Sequence, residues 1–270
     1  MYETYWNLNG KPFLQRSEPA RFYRSKSHQA ALLRLTYGLD NLSGPGLVLG
    51  LSGTGKSSLV RVFAEGRPAQ RPFIHIVFPA LDADELLRLI AAELHAPTSS
   101  DKGSDAVLRE IHQSLRKFTA LGCQPLICFD DAHLLSDDAL LEVVQPLLNL
   151  AETDEDARLS VLLVGQPVLS SRIRKLSQLS ERIAVTTPLL GFSAAETADY
   201  VAVCLHNAAG RSDIFTPGAV QRLFEVTAGN PRRINRLGDM ALLVGYAEQL
   251  PQITESQIDA ISTELMPAAA

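Results

Sequence analysis

Short apolar runs alternate with longer amphipathic segments along the first two thirds of the chain. Runs of this kind, bounded by turn-forming residues, are typical of strands that are buried in a parallel sheet. Five runs have this character, at residues 47–49, 73–78, 126–129, 160–166 and 183–187. The segments between them have the spacing of helices that cover both faces of such a sheet. The pattern therefore predicts an α/β fold with a five-stranded parallel sheet.

Helical segments are predicted before and between these strands, besides an amphipathic helix that begins at Ser58. Their bounds are 25–40, 82–95, 105–121, 137–150 and 167–182. Asp82 with Glu85 resembles a capping box at the start of the second segment. Pro146 is expected to kink or interrupt the fourth, because its ring removes a backbone N–H from the helix.

Gly191 marks a predicted domain boundary, because only helical patterns follow it. Ser193 with Glu196 forms a capping box that opens the first of the later helices. The predicted domains are an N-terminal arm, an α/β domain and a small all-helical lid domain, at residues 1–24, 25–190 and 191–270.

The N-terminal arm is rich in aromatic residues, which are interleaved with basic ones. The aromatic residues are Tyr2, Tyr5, Trp6, Phe13, Phe22 and Tyr23, and the basic ones are Lys11, Arg16, Arg21 and Arg24. Stacking on nucleic-acid bases is one interpretation, since every base offers a flat face to an aromatic ring. We favour the other interpretation, in which the arm packs on the protein core and walls an adenine pocket.

Charge and cysteine content argue against several classes of function. The 25 basic and 30 acidic residues leave a net charge of −5, so overall basicity does not indicate nucleic-acid binding. The cysteines, Cys123, Cys128 and Cys204, lack metal-ligand spacing and suit a reducing compartment. His75 is interpreted as a core or edge histidine of the second strand. Neither a signal peptide nor a membrane span is predicted, so we expect a cytoplasmic protein.

One glycine-rich stretch carries the clearest chemistry. Gly50–Ser57 reads GLSGTGKS and matches G-x-x-x-x-G-K-[ST] between a predicted strand and a predicted helix. The glycines allow a tight loop whose N–H groups surround a polyphosphate, Lys56 reaches the terminal phosphates, and the Ser57 hydroxyl binds Mg²⁺. The predicted phosphate contacts are Gly50, Ser52, Gly53, Thr54, Gly55, Lys56, Ser57 and Ser58.

The third predicted strand ends in two carboxylates, Asp130 and Asp131. Ligands of open α/β sheets bind at the carboxyl ends of the strands, where the glycine-rich loop also lies. Asp130 is expected to hold the Mg²⁺, directly or through water, and Asp131 to orient or deprotonate the attacking water. Gln166 ends the fourth predicted strand and reaches the same edge. A turn that merely closes the third strand is the alternative interpretation of the acid pair.

The order of these motifs resembles that of the AAA+ ATPases, and more narrowly that of the ExeA-like (general secretion pathway protein A) family. Almost the whole chain takes part in the resemblance. Besides Gly50–Ser57, it rests on Lys11–Phe13, Phe22–Leu32, Asp130–His133, Val164–Pro167, Ser180–Ile183, Phe215–Pro217 and Gly229–Asn235. It implies ATP and Mg²⁺ as ligands, a P-loop NTPase sheet followed by a helical lid, and assembly into a homo-oligomer.

The resemblance also implies roles for individual residues. Gly50–Ser57 corresponds to Walker A and Asp130–Asp131 to Walker B. Gln166 corresponds to sensor 1, Arg232 resembles the sensor-2 arginine at the start of a lid helix, and Arg182 is a candidate arginine finger for a neighbouring subunit. For both arginines a solvated surface charge remains the alternative.

Asp131 stands where the family usually has glutamate, which is one methylene longer. The shorter carboxylate lies farther from the water, and misplacement by about 1 Å can lower a rate about a hundredfold. We therefore expect nucleotide binding to survive and hydrolysis to be slow. His133, where the family often has glutamine or histidine, either senses nucleotide state or closes the turn.

Three functions agree with these observations. The leading hypothesis is an ATP-hydrolysing AAA+ protein that acts as a homo-oligomer, through nucleotide-driven lid movement, on a protein partner in secretion or envelope machinery. The second is a DNA-associated regulator of the transposition or replication type, supported by the arm and by basic residues within 172–182. The third is a switch that binds ATP with little hydrolysis.

Overall fold

The computed structural model describes residues 1–13, 22–41, 44–68, 72–77, 80–97 and 103–265. Arg16, Arg21 and Phe78, which belong to the predicted arm and the predicted second strand, lie outside these ranges. The predicted lid is described as far as residue 265.

Strands and helices alternate between residues 26 and 189, and the described residues beyond them are mainly helical. The strands are β1 (Gly46–Gly50), β2 (Phe73–Ile76), β3 (Leu126–Phe129), β4 (Ser160–Gly165) and β5 (Val185–Leu189). The helices are α1 (Tyr2–Tyr5), α2 (Lys26–Asn41), α3 (Lys56–Glu65), α4 (Ala83–Glu93), α5 (Ser104–Ala120), α6 (Asp137–Ala139), α7 (Gln145–Thr153), α8 (Pro167–Ile173), α9 (Ser177–Ser180), α10 (Ala194–Asn207), α11 (Pro217–Thr227), α12 (Pro231–Ala247) and α13 (Glu255–Leu265). A 3₁₀ turn (Ala132–Leu134) and a π-helical stretch (Leu140–Val144) lie between β3 and α7.

The described strands form one parallel sheet in the order β2-β3-β4-β1-β5, which confirms the predicted α/β fold. β4 lies between β1 and β3, with Leu163 opposite Leu47 on one side and Phe129 on the other. Because the strands all run in one direction, the segments that follow β1, β3 and β4 leave the sheet at the same edge. The residues that follow Gly50, Phe129 and Gly165 therefore lie together at one edge of the sheet.

The chain separates into two compact units, each with its own apolar core. The sheet unit comprises residues 26–52 and 56–189, and the helical unit comprises residues 1–25, 53–55 and 190–270. Three residues of the glycine-rich loop, Gly53–Gly55, thus group with the helical unit by their contacts.

The core of the sheet unit lies where helices cover the strands. Ile127 and Phe129 on β3, Ile90 on α4 and Ile111 on α5 are fully buried and belong to one apolar cluster. Near-continuous apolar strands are what a sheet covered on both faces requires. This packing immobilises the strands whose ends carry the polar residues of the site.

The N-terminal arm is part of the core of the helical unit. Tyr2, Trp6 and Phe13 are only 3–4% exposed and share one apolar cluster with the later helices. Trp6 Nε1 donates to the carbonyl oxygen of Leu242 at 2.9 Å, and the ring of Phe13 lies edge to face against Phe215. The packing interpretation of the arm is therefore confirmed for these three rings. The wall of an adenine pocket stays a prediction.

The predicted helix at residues 167–182 is wrong in one respect, since the structure divides it into α8 and α9. Ile173 and Leu179 are both buried in the core. Six residues along one straight helix would place them about 120° apart around its axis. The break at Leu176, which leaves helical geometry with a ψ of 83°, lets both side chains face the core.

Pro146 does not break its helix, because residues 137–153 stay helical and Val144 and Gln145 both have αR geometry. It lies in the first turn of α7, where its missing N–H is tolerated, and the π-helical stretch ends just before that turn.

Both predicted helix starts are confirmed. Asp82 accepts a hydrogen bond from the N–H of Glu85, and Ser193 and Glu196 form a complete capping box.

Among the described residues, no helix combines the length and apolarity needed to cross a membrane. Cys123, Cys128 and Cys204 are all free thiols.

Candidate functional site

The glycine-rich loop joins β1 to α3. β1 ends at Gly50 and α3 begins at Lys56, which is the predicted strand–loop–helix context. Gly53 and Gly55 have φ values of +85° and +91°, in a region that residues with side chains rarely adopt. The loop leads directly into a helix N-terminus, whose partial positive charge favours an anion. The local geometry therefore suits the binding of a phosphate.

Lys56 is a buried ammonium, with 7% of the residue exposed. Its Nζ donates to the carbonyl oxygens of Gly50 at 3.0 Å and Leu51 at 3.1 Å. A phosphate oxygen is a charged acceptor and binds such a donor more strongly than a neutral carbonyl does. The side chain is thus already folded against the loop in a position that suits a phosphate.

Within the helical unit, the start of α12 meets the tip of this loop. The Arg232 N–H donates to the carbonyl oxygen of Gly53 at 3.3 Å. Asn230 caps α12, because its Oδ1 accepts from the N–H groups of Arg232 at 3.1 Å and Arg233 at 3.3 Å. A Cβ on Gly53 would lie 2.7 Å from the Cβ of Arg232. Glycine at position 53 is therefore required both by the loop conformation and by the close approach of α12.

Asp130 follows β3, and its side chain is 4% exposed. The Ser57 hydroxyl hydrogen-bonds to it, the Asp131 N–H donates to its Oδ1 at 3.0 Å, and His75 Nε2 lies 3.4 Å from its Oδ2. Burial raises the pKa of Asp130, but the interactions with His75, Ser57 and the Asp131 N–H together outweigh burial and lower the pKa below its usual value. Asp130 is therefore an ionised carboxylate next to the Ser57 hydroxyl.

Asp131, His133 and Gln166 form a row of polar side chains beside Asp130. Asp131 has a left-handed backbone, with φ 50° and ψ 36°, and its side chain is 51% exposed. His133 lies in the 3₁₀ turn with its side chain 12% exposed. Its Nε2 is 2.9 Å from Gln166 Nε2, and its Nδ1 is 3.8 Å from Asp131 Oδ1. His133 thus lies between the predicted residues Asp131 and Gln166, and it is within hydrogen-bond distance of Gln166 alone.

Arg172 on α8 holds the turn that contains His133. Its Nη1 donates to the carbonyl oxygen of His133 at 2.9 Å, and its Nε donates to Asp137 Oδ1 at 3.0 Å. Gly165 lets β4 approach this turn, since a Cβ there would lie 3.2 Å from the backbone nitrogen of His133. The hydrogen bonds of the Arg172 guanidinium and the absence of a side chain at Gly165 together allow Gln166 and His133 to come into contact.

Arg182 is paired within the sheet unit. Its Nη1 donates to Asn149 Oδ1 at 2.6 Å, and its Nη2 lies 3.4 Å from Glu152 Oε2. To act as an arginine finger on another subunit, the guanidinium would have to exchange these contacts. The roles of Arg182 and Arg232 stay predictions.

Sequence reasoning did not identify His75 and Arg172 as part of the site. His75 pairs with Cys128 across β2 and β3, and Ile76 pairs with Phe129, so His75 lies close to the end of β3. That position follows only if β2 is known to neighbour β3. The contact of Arg172 with the carbonyl oxygen of His133 likewise follows only if α8 is known to lie beside the turn after β3.

The oxygen donors suit Mg²⁺ bound together with a nucleotide. This ion is commonly held by one or two protein oxygens, with phosphates and water completing its coordination. Ser57 and Asp130 supply two such oxygens in contact with each other. Lys56 adds the positive charge that the phosphates require.

Comparison with known proteins relates this chain to the AAA proteins. Residues 40–173 match the family model described as an AAA domain. General secretion pathway protein A of Aeromonas hydrophila is 34% identical over 268 residues, which are 98% of this chain and 48% of that protein. The chain therefore spans about half the length of the curated relative that it matches.

Two solved structures illustrate the similarity in fold. CDC6P from Pyrobaculum aerophilum has a TM-score of 0.72 at 16% identity, over 96% of this chain and 72% of that one. The ORC1 protein of Aeropyrum pernix, solved in complex with DNA, has a TM-score of 0.65 at 14% identity, over 94% of this chain and 68% of that one. At these identities the similarity concerns the fold alone.

Proposed function

Because this chain belongs to the AAA+ ATPases, in the group of general secretion pathway protein A, we propose that it binds ATP with Mg²⁺ and hydrolyses it slowly. The observation that carries the proposal is the arrangement of Lys56, Ser57 and Asp130 at one edge of the sheet. A buried ammonium, a hydroxyl and an ionised carboxylate lie there beside a loop built for phosphate.

Each side chain of the site has a role that its position supports. Lys56 and the loop N–H groups bind phosphate oxygens, while Ser57 and Asp130 hold the metal. Bound Mg²⁺ supplies positive charge that stabilises the charge developing on the phosphate oxygens. Asp131 orients the attacking water and accepts its proton, and Gln166 helps to place that water.

Slow turnover follows from the carboxylate at position 131. Asp131 is one methylene shorter than the usual glutamate, and half of its side chain is exposed. A short and exposed carboxylate is a poorly fixed base, and imprecise placement lowers the rate more than it lowers binding. This feature also favours a second candidate, a switch that holds ATP and turns it over rarely.

We further propose that the protein acts as a homo-oligomer on a protein partner from the cytoplasm. In this scheme, Arg232 couples the helical lid to the nucleotide, and Arg182 completes the site of a neighbouring subunit. The relative is named for general secretion, so the partner belongs to secretion or envelope machinery. Support for that process is the 34% identity over 98% of this chain.

A DNA-associated function has less support than the sequence suggested. The rings of Tyr2, Trp6 and Phe13 are buried and are not available for stacking on bases. Arg172 and Arg182 each lie in an ion pair with a carboxylate of the sheet unit. The DNA complex of the ORC1 protein is a property of that protein. Salt-dependent DNA binding by this chain would reverse our order of preference.

The proposal is tested by steady-state ATP hydrolysis as a function of protein concentration, with Lys56→Ala as the blank. We expect specific activity to rise with concentration and to vanish in Lys56→Ala. Arg182→Ala should still bind ATP but hydrolyse it no faster than the blank. Asp131→Glu measures how far the short carboxylate limits turnover.

The possible results separate the candidates. Activity that is independent of concentration would contradict completion of the site by a neighbour. ATP binding without activity above the blank at any concentration would contradict the ATPase proposal and favour the switch. A gain of about tenfold or more in Asp131→Glu would show that the native site is suited to holding ATP.

A further inference from the structure

One polar atom of the site has no role in the scheme above. His133 Nδ1 is buried and has no hydrogen-bond partner among the described residues. Asp131 Oδ1 lies 3.8 Å from it, which is beyond hydrogen-bond distance. Most buried polar atoms in proteins are paired, so an unpaired one needs an explanation.

The contact with Gln166 determines where the imidazole carries its proton. The amide nitrogen of Gln166 lies 2.9 Å from His133 Nε2, and an amide nitrogen can only donate. Nε2 of the neutral ring therefore accepts, and the proton is on Nδ1. That N–H faces the Asp131 carboxylate. The distance from this donor nitrogen to the acceptor oxygen is about 1 Å longer than in a hydrogen bond.

We propose that His133 is a positioning residue that joins Asp131 and Gln166 into one hydrogen-bonded row. In this row Gln166 donates to Nε2, and Nδ1–H donates to the Asp131 carboxylate once that exposed side chain turns towards it. The inference rests on the proposed ATPase function and deepens it. The row fixes the direction of a carboxylate that is otherwise short and half exposed.

The alternative role of His133, closure of the turn, does not need the imidazole. The turn is closed by backbone groups, since the Leu134 N–H donates to the Asp131 carbonyl oxygen at 2.8 Å. Arg172 binds the backbone oxygen of His133, which also leaves the ring nitrogens out of the turn. The backbone of His133 is therefore fixed by Arg172, and the two ring nitrogens face the predicted site residues Asp131 and Gln166.

Two substitutions at position 133 test the row. His133→Phe keeps a ring of similar size without nitrogens, and we expect kcat to fall about 10- to 100-fold while KM and the Kd for ATP change less than about threefold. His133→Gln keeps one acceptor and one donor, so kcat should remain within about threefold of the wild type. The melting temperature of each variant is measured alongside.

The matched control is His112→Phe. His112 Nε2 lies 2.6 Å from Asp154 Oδ2, so this variant also removes a histidine–aspartate contact from the sheet unit. It lies outside the row, and its kcat should equal that of the wild type. A loss in the control as large as that in His133→Phe would contradict a specific role for His133.

A second readout does not depend on activity. Nitrogen-15 NMR of the nucleotide-free protein should place the His133 proton on Nδ1. In Gln166→Ala the ring loses its donor, so the proton should move towards Nε2, the site that a free neutral imidazole ordinarily favours. A proton on Nε2 in the wild type would overturn the row.

The kinetic results distinguish this inference from the proposal on which it rests. Wild-type activity with an equally active His133→Phe contradicts the row alone. Loss of ATP affinity or of thermal stability in proportion to kcat contradicts positioning and indicates a structural role. If the wild type hydrolyses no ATP above the Lys56→Ala blank, the ATPase proposal fails, and the position of the His133 proton in the NMR experiment then decides whether the row exists.

Discussion

Asp130 is contacted by side chains that are far apart in the sequence. Ser57 lies in the first turn of α3, and His75 lies on β2, yet both reach the same carboxylate. Their interactions, with the Asp131 N–H, more than offset burial and keep the pKa of Asp130 below its usual value. An acid that is already ionised binds a divalent cation without first losing a proton.

Replacing His75 by phenylalanine should raise the pKa of Asp130, because burial then acts against fewer stabilising contacts. The carbon-13 shift of the Asp130 carboxyl group, followed against pH in the nucleotide-free protein, measures the change. His112→Phe serves as the control and should leave that titration unchanged. An unaltered or lower pKa in His75→Phe would contradict the role given to His75.

The same pKa shift predicts how stability depends on pH. In the folded protein the pKa of Asp130 lies below its ordinary value of 3.8. Its contribution to the free energy of unfolding is therefore present above that ordinary value and is lost as the pH falls through the folded value. His75→Phe should show a smaller contribution over this acidic range.

At the scale of single elements, α12 depends on its N-cap. Its first two turns carry the exposed residues Arg232, Arg233 and Arg236, and the helix dipole disfavours cations at this end. Asn230 opposes this effect by accepting two backbone N–H groups. The helix that presents Arg232 is thus stabilised at its start by one side chain.

Asn230→Ala should lower the free energy of unfolding of the helical unit by about 1 kcal/mol. Trp6 is the one tryptophan of the sequence and is buried in this unit, so its fluorescence during urea unfolding reports the change. Asn230→Asp keeps a capping oxygen and adds a favourable charge, and it should stay close to the wild type. Equal losses in both variants would argue against the cap.

At the scale of the whole molecule, the chain has two apolar cores rather than one. The cluster of the sheet unit and the cluster of the helical unit share no residue. The arm belongs to the second cluster, although more than 160 residues separate Phe13 from α10. We therefore expect the two units to unfold as separate cooperative units.

Phe13→Ala should destabilise the helical unit by about 3 kcal/mol or more and leave the sheet unit nearly unchanged. Cys204 is buried in the helical unit and Cys128 in the sheet unit. Thiol labelling during urea unfolding, read by mass spectrometry, reports each unit separately. We expect Cys204 to become reactive at a lower urea concentration than in the wild type, with Cys128 little changed. A shared shift of both thiols would contradict separate units.

The features determined by the sequence itself depend on residues that are close together along the chain. Gly50–Ser57 forms its loop because glycines at 53 and 55 allow positive φ directly before a helix. The strands follow from apolar runs, and the capping box at Ser193 follows from a side chain and a backbone N–H three residues apart. Local geometry of this kind was predicted correctly: Gly50–Ser57 joins a strand to a helix, and Asp130 and Asp131 follow β3. Phosphate and metal binding by these residues stays a proposal.

Tertiary structure alone decided which side chains complete the site. His75 reaches Asp130 because β2 neighbours β3, and Gln166 meets His133 because β4 lies between β3 and β1. The apolar runs alone do not determine which strands are neighbours, since an apolar run can pair with any other run of the same kind. The side chain of Arg172 likewise turned out to bind a turn 39 residues away. These contacts arise from the free energy of packing the whole sheet, which no local stretch of sequence contains.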